Sequence, residues 1–324
     1  MQSKSFSIGI DIGGTNTAFG IVDRRGEILF QDRIHTREYD QPETFIEAIR
    51  QHLAPHIDPL GKDHFSGIGA GAPNANYYSG AIELAPNLSW KGTIPLRQLL
   101  HDAFDLPVTI TNDANATAIG EMIYGSAKGM KDFIIITLGT GVGSGFVANG
   151  QLIYGHDGFA GELGHVIAVR DGRACGCGRK GCLETYSSAT GIVRTALEWL
   201  EQRNLAAEPG QPDWLQTVYA NSGEISSSGI HKAALAGDPL AVEIFEFTGK
   251  ILGQALADAV AITSPEAIIL FGGLAKAGDF ILKPTKKYME DNLLAIFKNK
   301  IEIIPSGLSE RDAAILGSAA LAWG

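Results

Sequence analysis

An α/β fold built in two parts is what this chain of 324 residues predicts, and three observations point to it. Strand-like apolar runs alternate with amphipathic stretches, the pattern of sheets covered by helices. A strand–glycine turn–strand unit occurs near the start and again near Phe133. The length suits about two domains, each large enough to bury its own core.

Phe6 to Ile10 is the first expected strand. It meets the turn Asp11-Ile-Gly13-Gly14-Thr15-Asn16, and Thr17 to Val22 forms the second strand. The polar turn Asp23-Arg-Arg-Gly26 then leads into Glu27 to Arg33, completing a hairpin. Glu43 to Leu53 and Leu96 to Phe104 have helical apolar spacing, while Gly67 to Gly71 and Pro107 to Thr111 are short enough for strands. After Asn112-Asp113-Ala-Asn115 an alanine-rich helix runs toward Tyr124. Phe133 to Leu138 then meets Gly139-Thr140-Gly141-Val-Gly143-Ser144, followed by strands Gly145 to Ala148 and Gln151 to Tyr154 around the turn Asn149-Gly150. At an offset of 125 positions Gly14 falls on Gly139, Thr15 on Thr140 and Gly20 on Gly145, the trace a duplicated unit would leave. Ser187 to Gln202 is an expected helix, and Asn204 to Ser228 reads as a loose polar insertion. Pro239 to Thr263 is a long helix before the buried strand Ala267 to Phe271 and Gly272-Gly273. Ile301 to Ile304 and Asp312 to Ala322 close the chain as strand and helix.

Composition narrows the function. Apolar residues make up 45% and charged residues 19%, as in an ordinary globular protein. A net charge of −10 argues against a nucleic-acid partner, which calls for a basic face. No charged segment followed by an apolar core opens the chain, so no secretory signal is expected. No apolar run approaches the roughly 20 residues that span a bilayer, so no membrane partner is expected.

All three cysteines lie in Cys175-Gly-Cys177-Gly-Arg-Lys-Gly-Cys182, with His165 upstream in Glu162-Leu-Gly-His165 and Glu184 downstream. Tetrahedral zinc needs four N/S donors on tight turns, which Gly176, Gly178 and Gly181 can supply. Three small buried residues in a loop are the plainer alternative, which scattered cysteines would favour. Thiolate ligands need a reducing compartment, so the cytoplasm is expected.

The glycine turns are not the common nucleotide motifs. No Gly-x-x-x-x-Gly-Lys-Ser/Thr occurs, and Gly139, Gly141 and Gly143 lead into a strand where a dinucleotide fingerprint would lead into a helix. Two glycine hairpins can still approach phosphate with backbone N–H groups, helped by the hydroxyls of Thr15 and Thr140. Asp11, at a strand end beside such a turn, could hold hydrated magnesium. Asp113 sits at the carboxyl end of a strand, where α/β folds place ligands. It either caps the following helix or serves as a base.

These pieces resemble the ROK family of sugar kinases over nearly the whole chain. Asp11-Ile-Gly13-Gly14-Thr15 resembles the family's first phosphate segment and Leu138-Gly-Thr140-Gly141-Val-Gly-Ser-Gly145 its second. Asn112-Asp113 resembles the sugar and catalytic pair, Glu162-Leu-Gly-His165 with Cys175-Gly-Cys177 to Cys182-x-Glu184 the sugar and zinc motifs, and Gly272-Gly273 the adenosine-side glycines. The resemblance implies a two-lobed actin/hexokinase-like fold, a duplicated ribonuclease H-like unit, with a cleft between lobes. Residues 1–112 plus 308–324 would form the smaller lobe and residues 113–307 the larger one.

It also implies ATP-dependent phosphorylation of a hexose with magnesium and structural zinc, in a homodimer or homotetramer. Asp113 would take the proton from a sugar hydroxyl. Asn87, Asn112, Glu162, His165 and Glu184 would hold the other hydroxyls, and His165, Cys175, Cys177 and Cys182 would ligate zinc. Ala85-Pro-Asn87-Leu-Ser-Trp90 resembles the glucokinase-type members, so glucose phosphorylated at its 6-hydroxyl is expected, with N-acetylhexosamine or fructose as alternatives. No apolar recess for an acetamido methyl is evident near His165. One departure stands out: many relatives read Gly-x-Pro-Gly where this chain has Gly71-Ala72-Pro73-Asn74, and Asn tolerates the left-handed turn that Gly would make.

Three rivals are weaker. Sugar-responsive regulators of the family would carry a helix-turn-helix before the first hairpin, whereas ten residues precede Asp11 in an acidic chain. A non-sugar ATPase does not explain the Cys₃His cluster framed by Glu162 and Glu184. A nucleic-acid zinc finger would show Cys-x₂-Cys pairing, and Cys-x-Cys-x₄-Cys does not.

Overall fold

The structure, a computed structural model, describes residues 4–85, 87–203, 215 and 224–323. In chain order its elements are β1 (Phe6–Ile12), β2 (Asn16–Asp23), β3 (Ile28–His35), α1 (Pro42–Leu60), β4 (Phe65–Gly71), β5 (Ile82–Glu83) and β6 (Thr93–Ile94). Next come α2 (Leu96–Phe104), β7 (Val108–Thr111), α3 (Asp113–Ile123), β8 (Phe133–Leu138), β9 (Val142–Ala148), β10 (Gln151–Leu152), α4 (Glu184–Ser187) and α5 (Ala189–Arg203). The last are α6 (Ser227–Leu235), α7 (Pro239–Thr263), β11 (Ala267–Phe271), α8 (Asp279–Asn292), β12 (Glu302–Pro305) and α9 (Glu310–Ala320).

Two five-stranded sheets share one topology. Their orders are β3-β2-β1-β4-β7 and β10-β9-β8-β11-β12, so in both the third, second, first, fourth and fifth strands of the set lie side by side. Antiparallel pairing joins β1 to β2, β2 to β3 and β9 to β10, and parallel pairing adds β4, β7, β11 and β12. This is the duplication the two glycine hairpins announce. Matching strand ends fix its spacing: Ile12 and Leu138, like Asn16 and Val142, stand 126 positions apart. The offset of 125 aligns glycines; the backbone is shifted from it by one residue.

By their contacts the residues fall into two compact units, Met1–Lys131 with Gly145–Gly161 and Ser306–Gly324, and Asp132–Ser144 with Glu162–Pro305. In the first unit, Ile8, Ile10, Phe19, Ile21, Phe45, Ile49 and Leu53 are buried between sheet and helix α1. Helix α9 presses on β1 and β4 so closely that a Cβ on Gly9 or Gly69 would collide with the carbonyls of Ile315 and Ser318. The same helix meets α3, where a Cβ on Gly120 would lie 2.8 Å from Gly317 Cα. Helix α3, which the expected boundary at 112/113 gives to the larger lobe, therefore clusters with the first unit.

In the second unit, α7 and α8 pack through Gly249 and Gly253. A Cβ on Gly249 would come within 2.7 Å of the Pro284 ring, and one on Gly253 would strike the Thr285 carbonyl. Helix α8 has no counterpart among the expected elements, because Pro284 and three lysines interrupt its apolar period. Helix α1 likewise continues to Leu60 through Pro55 and Pro59, past its expected end at Leu53. Helix α6 and the β5–β6 hairpin were also not expected from the pattern. Most of the polar insertion, residues 204–214 and 216–223, lies outside the described residues. No helix among the described residues is long and apolar enough to cross a membrane.

Candidate active site

The first hairpin is a tight turn in which Gly13 N donates to Asn16 O at 3.0 Å. Thr36 fastens it: its Oγ1 donates to Gly13 O at 2.8 Å, lies 2.8 Å from Thr17 Oγ1, and its N donates to Thr15 O at 2.9 Å. Arg37 Nε adds a bond to Gly14 O at 3.2 Å. Thr15 is left exposed at the tip. Gly14 faces Asn87, whose carbonyl oxygen would lie 2.5 Å from a Cβ at position 14, so the segment carrying Asn87 rests on the hairpin and needs glycine there.

Asp11, next to last in β1, is in register with Gly71. Burial, with a smaller contribution from Asp113, pushes its carboxyl up to about 7. Two carboxylates close enough to repel are eased by a shared proton or by a cation.

Asp113 is the first residue of α3, and it is not the cap. Asn112 takes that role, its Oδ1 accepting from Asn115 N at 2.7 Å. The capping alternative for Asp113 therefore falls away, and its carboxylate accepts from the adjoining Ala114 N at 2.8 Å. Asp113 is reachable by solvent yet surrounded by enough protein to lose hydration, which raises its pKa despite that bond. Capping also commits Asn112 Oδ1, so the Nδ2 group is the part of the amide that the cap does not use.

In the second hairpin Gly139 N donates to Gly141 O at 3.1 Å, and residues at the start of α5 hold it. Ala189 N donates to Gly139 O at 2.8 Å and Thr190 Oγ1 to Thr140 O at 2.7 Å. Gly141 lies against Glu184, whose Oε2 would be 2.6 Å from a Cβ there. Beside the end of β8, Gly272 takes φ 102° and lies against the Leu138 carbonyl, a conformation and a fit that both require glycine. Among the described residues, nothing lies within 4 Å of the place a Cβ on Gly273 would occupy.

Glu162-Leu-Gly-His165 forms a short turn anchored on β9. Leu163 N donates to Ser144 Oγ at 3.1 Å, and Gly164 presses on the Val142 carbonyl. Glu162 is exposed at its head. His165 directs Nδ1 toward Cys175 Sγ at 3.8 Å and Glu184 Oε1 at 3.6 Å. Donor atoms of His165, Cys175, Cys177 and Cys182 all lie within 4.8 Å of one another. The Cys177–Cys182 sulfur separation is 3.5 Å, near the edge of about 3.8 Å for a tetrahedron with Zn–S bonds of ~2.3 Å. The residues fit structural zinc. The Arg179 backbone N–H pulls the Cys177 thiol down to about 6, while burial pushes Cys175 up to about 12, so binding must displace a proton from Cys175.

The loop is fixed by more than its cysteines. Bridges pair Ile167 with Cys182 and Ala174 with Lys180. Gly178 and Gly181 take positive φ as the turns require, whereas Gly176 does not, so only two of the three glycines are conformationally needed. Arg173 is a further fastening that no sequence signal marks. It bonds Glu198 at 3.0 Å, the Thr185 carbonyl at 2.7 Å and Thr195 Oγ1 at 2.9 Å, and lies over the Tyr186 ring. Thr36 and Arg37 were missed in the same way. Val166 and Ile167, which directly follow His165, are both exposed.

The ROK family model matches residues 7–324. A glucokinase of Halalkalibacterium halodurans is 35% identical over 98% of this chain and 94% of its own length. The crystal structure of a ROK family glucokinase from Streptomyces griseus in complex with glucose and AMPPNP is 33% identical, with a TM-score of 0.78 over 98% of both chains. A xylose repressor of Caldicellulosiruptor bescii is 31% identical over 97% of this chain and 77% of its own.

Proposed function

The chain belongs to the ROK family, and from that premise we propose that it is an ATP-dependent hexose kinase that phosphorylates the 6-hydroxyl of glucose. Asp113 is the observation that carries this: a carboxylate at a strand exit, relieved of helix capping by Asn112 and raised above the ordinary carboxylate range by lost hydration. Full-length similarity to proteins described as glucokinases fits the same activity.

Phosphoryl transfer asks a protein mainly for positioning and charge stabilisation. Asp113 accepts the proton of the attacking hydroxyl. Asn87, the Nδ2 of Asn112, Glu162, the free nitrogen of His165 and Glu184 hold the remaining hydroxyls. The Gly13 N–H closes the first turn, so that the backbone N–H groups of Gly14 and Gly141, with the hydroxyls of Thr15 and Thr140, bind the phosphates, and Gly273 leaves room for the adenosine beside the turn that Gly272 makes. Asp11 would hold magnesium, which when bound neutralises phosphate charge. His165, Cys175, Cys177 and Cys182 would hold zinc, which when bound cross-links the loop bearing Glu184. Thiol ligands suit the cytoplasm, and a homodimer or homotetramer is the assembly we expect.

Phosphorus NMR of purified protein with ATP and glucose tests this: ADP and glucose 6-phosphate should form one for one. ATP consumption without a sugar phosphate would contradict it. A site built to hydrogen-bond a hydroxyl should also make 2-deoxyglucose markedly poorer than glucose. N-acetylhexosamine is the second reading, favoured by the exposed Val166 and Ile167 beside His165.

A further inference from the structure

Among the described residues, two non-glycine positions between Gly71 and Trp90 adopt the left-handed backbone, Asn74 at φ 53° and Leu84 at φ 52°. Asn tolerates that conformation because its short amide can bond locally; leucine has no such compensation. Packing does not hold Leu84 there, since its side chain is 77% exposed.

The two positions are joined. Asn74 Nδ2 donates both to Glu83 O at 3.0 Å and to Leu84 O at 3.3 Å, while Glu83 N donates back to Asn74 O at 3.1 Å. Leu84 N is held separately by Gly92 O at 3.2 Å. Leu84 directly follows β5 and is the point at which the chain leaves the β5–β6 pairing for Asn87. Asn87 in turn lies against Gly14 of the first hairpin. A bend at Leu84 therefore decides where Asn87 comes to rest, and the amide of Asn74 is the side chain that holds the bend.

We propose that Asn74 is a positioning residue for sugar recognition: its side-chain amide clamps Leu84 in the left-handed conformation and thereby sets Asn87 against the first glycine hairpin. This rests on Asn87 being a sugar contact, as proposed above. A glycine at 74 could make the same turn but could not make the clamp. Asn74 does not touch the sugar and acts through its bonds to Glu83 and Leu84.

The test is steady-state kinetics on the full-length protein with the hexose giving the highest kcat/KM, for Asn74→Gly, Asn87→Ala, and Asn74→Gly combined with Leu84→Asn. Asn74→Gly should raise the sugar KM about fivefold or more, with kcat and the ATP KM within about twofold of wild type. Its melting temperature should stay close to wild type, because the clamp is exposed. Leu84→Asn restores a residue that accepts the left-handed conformation, so it should recover most of the lost sugar affinity in the Asn74→Gly background. A normal sugar KM in Asn74→Gly beside a raised one in Asn87→Ala would overturn this inference alone. A normal sugar KM in Asn87→Ala would overturn the sugar assignment of Asn87 and this inference with it. Absence of recovery in the double variant, or an ATP KM that rises with the sugar KM, would also overturn it.

Discussion

At the end of β1, Asp11 stands in register with Gly71 of β4; at the matching place in the second sheet, Thr137 of β8 stands in register with Phe271 of β11. One strand further across, β7 runs out into Asn112 and Asp113. Its counterpart β12 instead runs out through Pro305 into Ser306 and Gly307, where Ser306 Oγ and Gly307 N both donate to the buried Glu121. Identical strand order thus carries acids at the exits of one sheet and neutral groups at those of the other. The second hairpin instead has Glu184 and the cysteine loop beside it. Duplication supplied two equivalent sets of strand ends, and the chemistry was assigned by the few side chains standing on them.

Removing the acid that has no counterpart should have the largest effect. Asp113→Asn keeps the shape but cannot accept a proton, so kcat should fall by ~10²-fold or more, while calorimetry still detects weakened glucose binding. More than about a tenth of normal turnover would refute Asp113 as base. Next comes the pair at the ends of β1 and β8. Asp11→Asn should lower kcat/KM for ATP by about tenfold or more, roughly 1.4 kcal/mol, whereas Thr137→Val should change it by less than about threefold. Equal losses would mean that the two sheets share the phosphate chemistry evenly, and the comparison would break.

Zinc sharpens the contrast from the other side. Elemental analysis should find about one zinc per chain, and Cys182→Ser should lose it. Because the four ligands close the metal's shell, its loss should raise the sugar KM by about tenfold, through Glu184 and His165, with kcat affected less. Zinc-free protein with full activity would contradict that. The smallest kinetic effect is expected where only scaffold is touched. Gly253→Ala forces α8 away from α7 and should cost about 1–3 kcal/mol in denaturant unfolding, with kcat unchanged at low temperature.

What could be read from the residues was mostly local. Helix α7 shows both of its ends in sequence, since Asp238 caps it, accepting from Ala241 N at 3.0 Å, and Pro239 occupies its first turn. The metal set is compact along the chain, and both glycine hairpins announce themselves by composition. Helix α8 was hidden because its fit depends on Gly249 and Gly253 in a different helix, which accept Pro284 at a distance no periodicity encodes. Arg173 and Thr36 act on partners 12 to 25 residues away, so nothing in their own neighbourhood marks them. Asn74 was visible as a departure from the family turn, but the bonds to Glu83 and Leu84 that give it a role exist only in the fold.

That this chain is a kinase of glucose is tested most directly by kcat/KM measured side by side for glucose, mannose, fructose and N-acetylglucosamine with ATP as donor. Glucose should rank first, with mannose a weaker substrate and the other two well below. A higher kcat/KM for N-acetylglucosamine or fructose than for glucose would contradict the glucose assignment, and no phosphorylation of any of the four would contradict the hexose kinase itself.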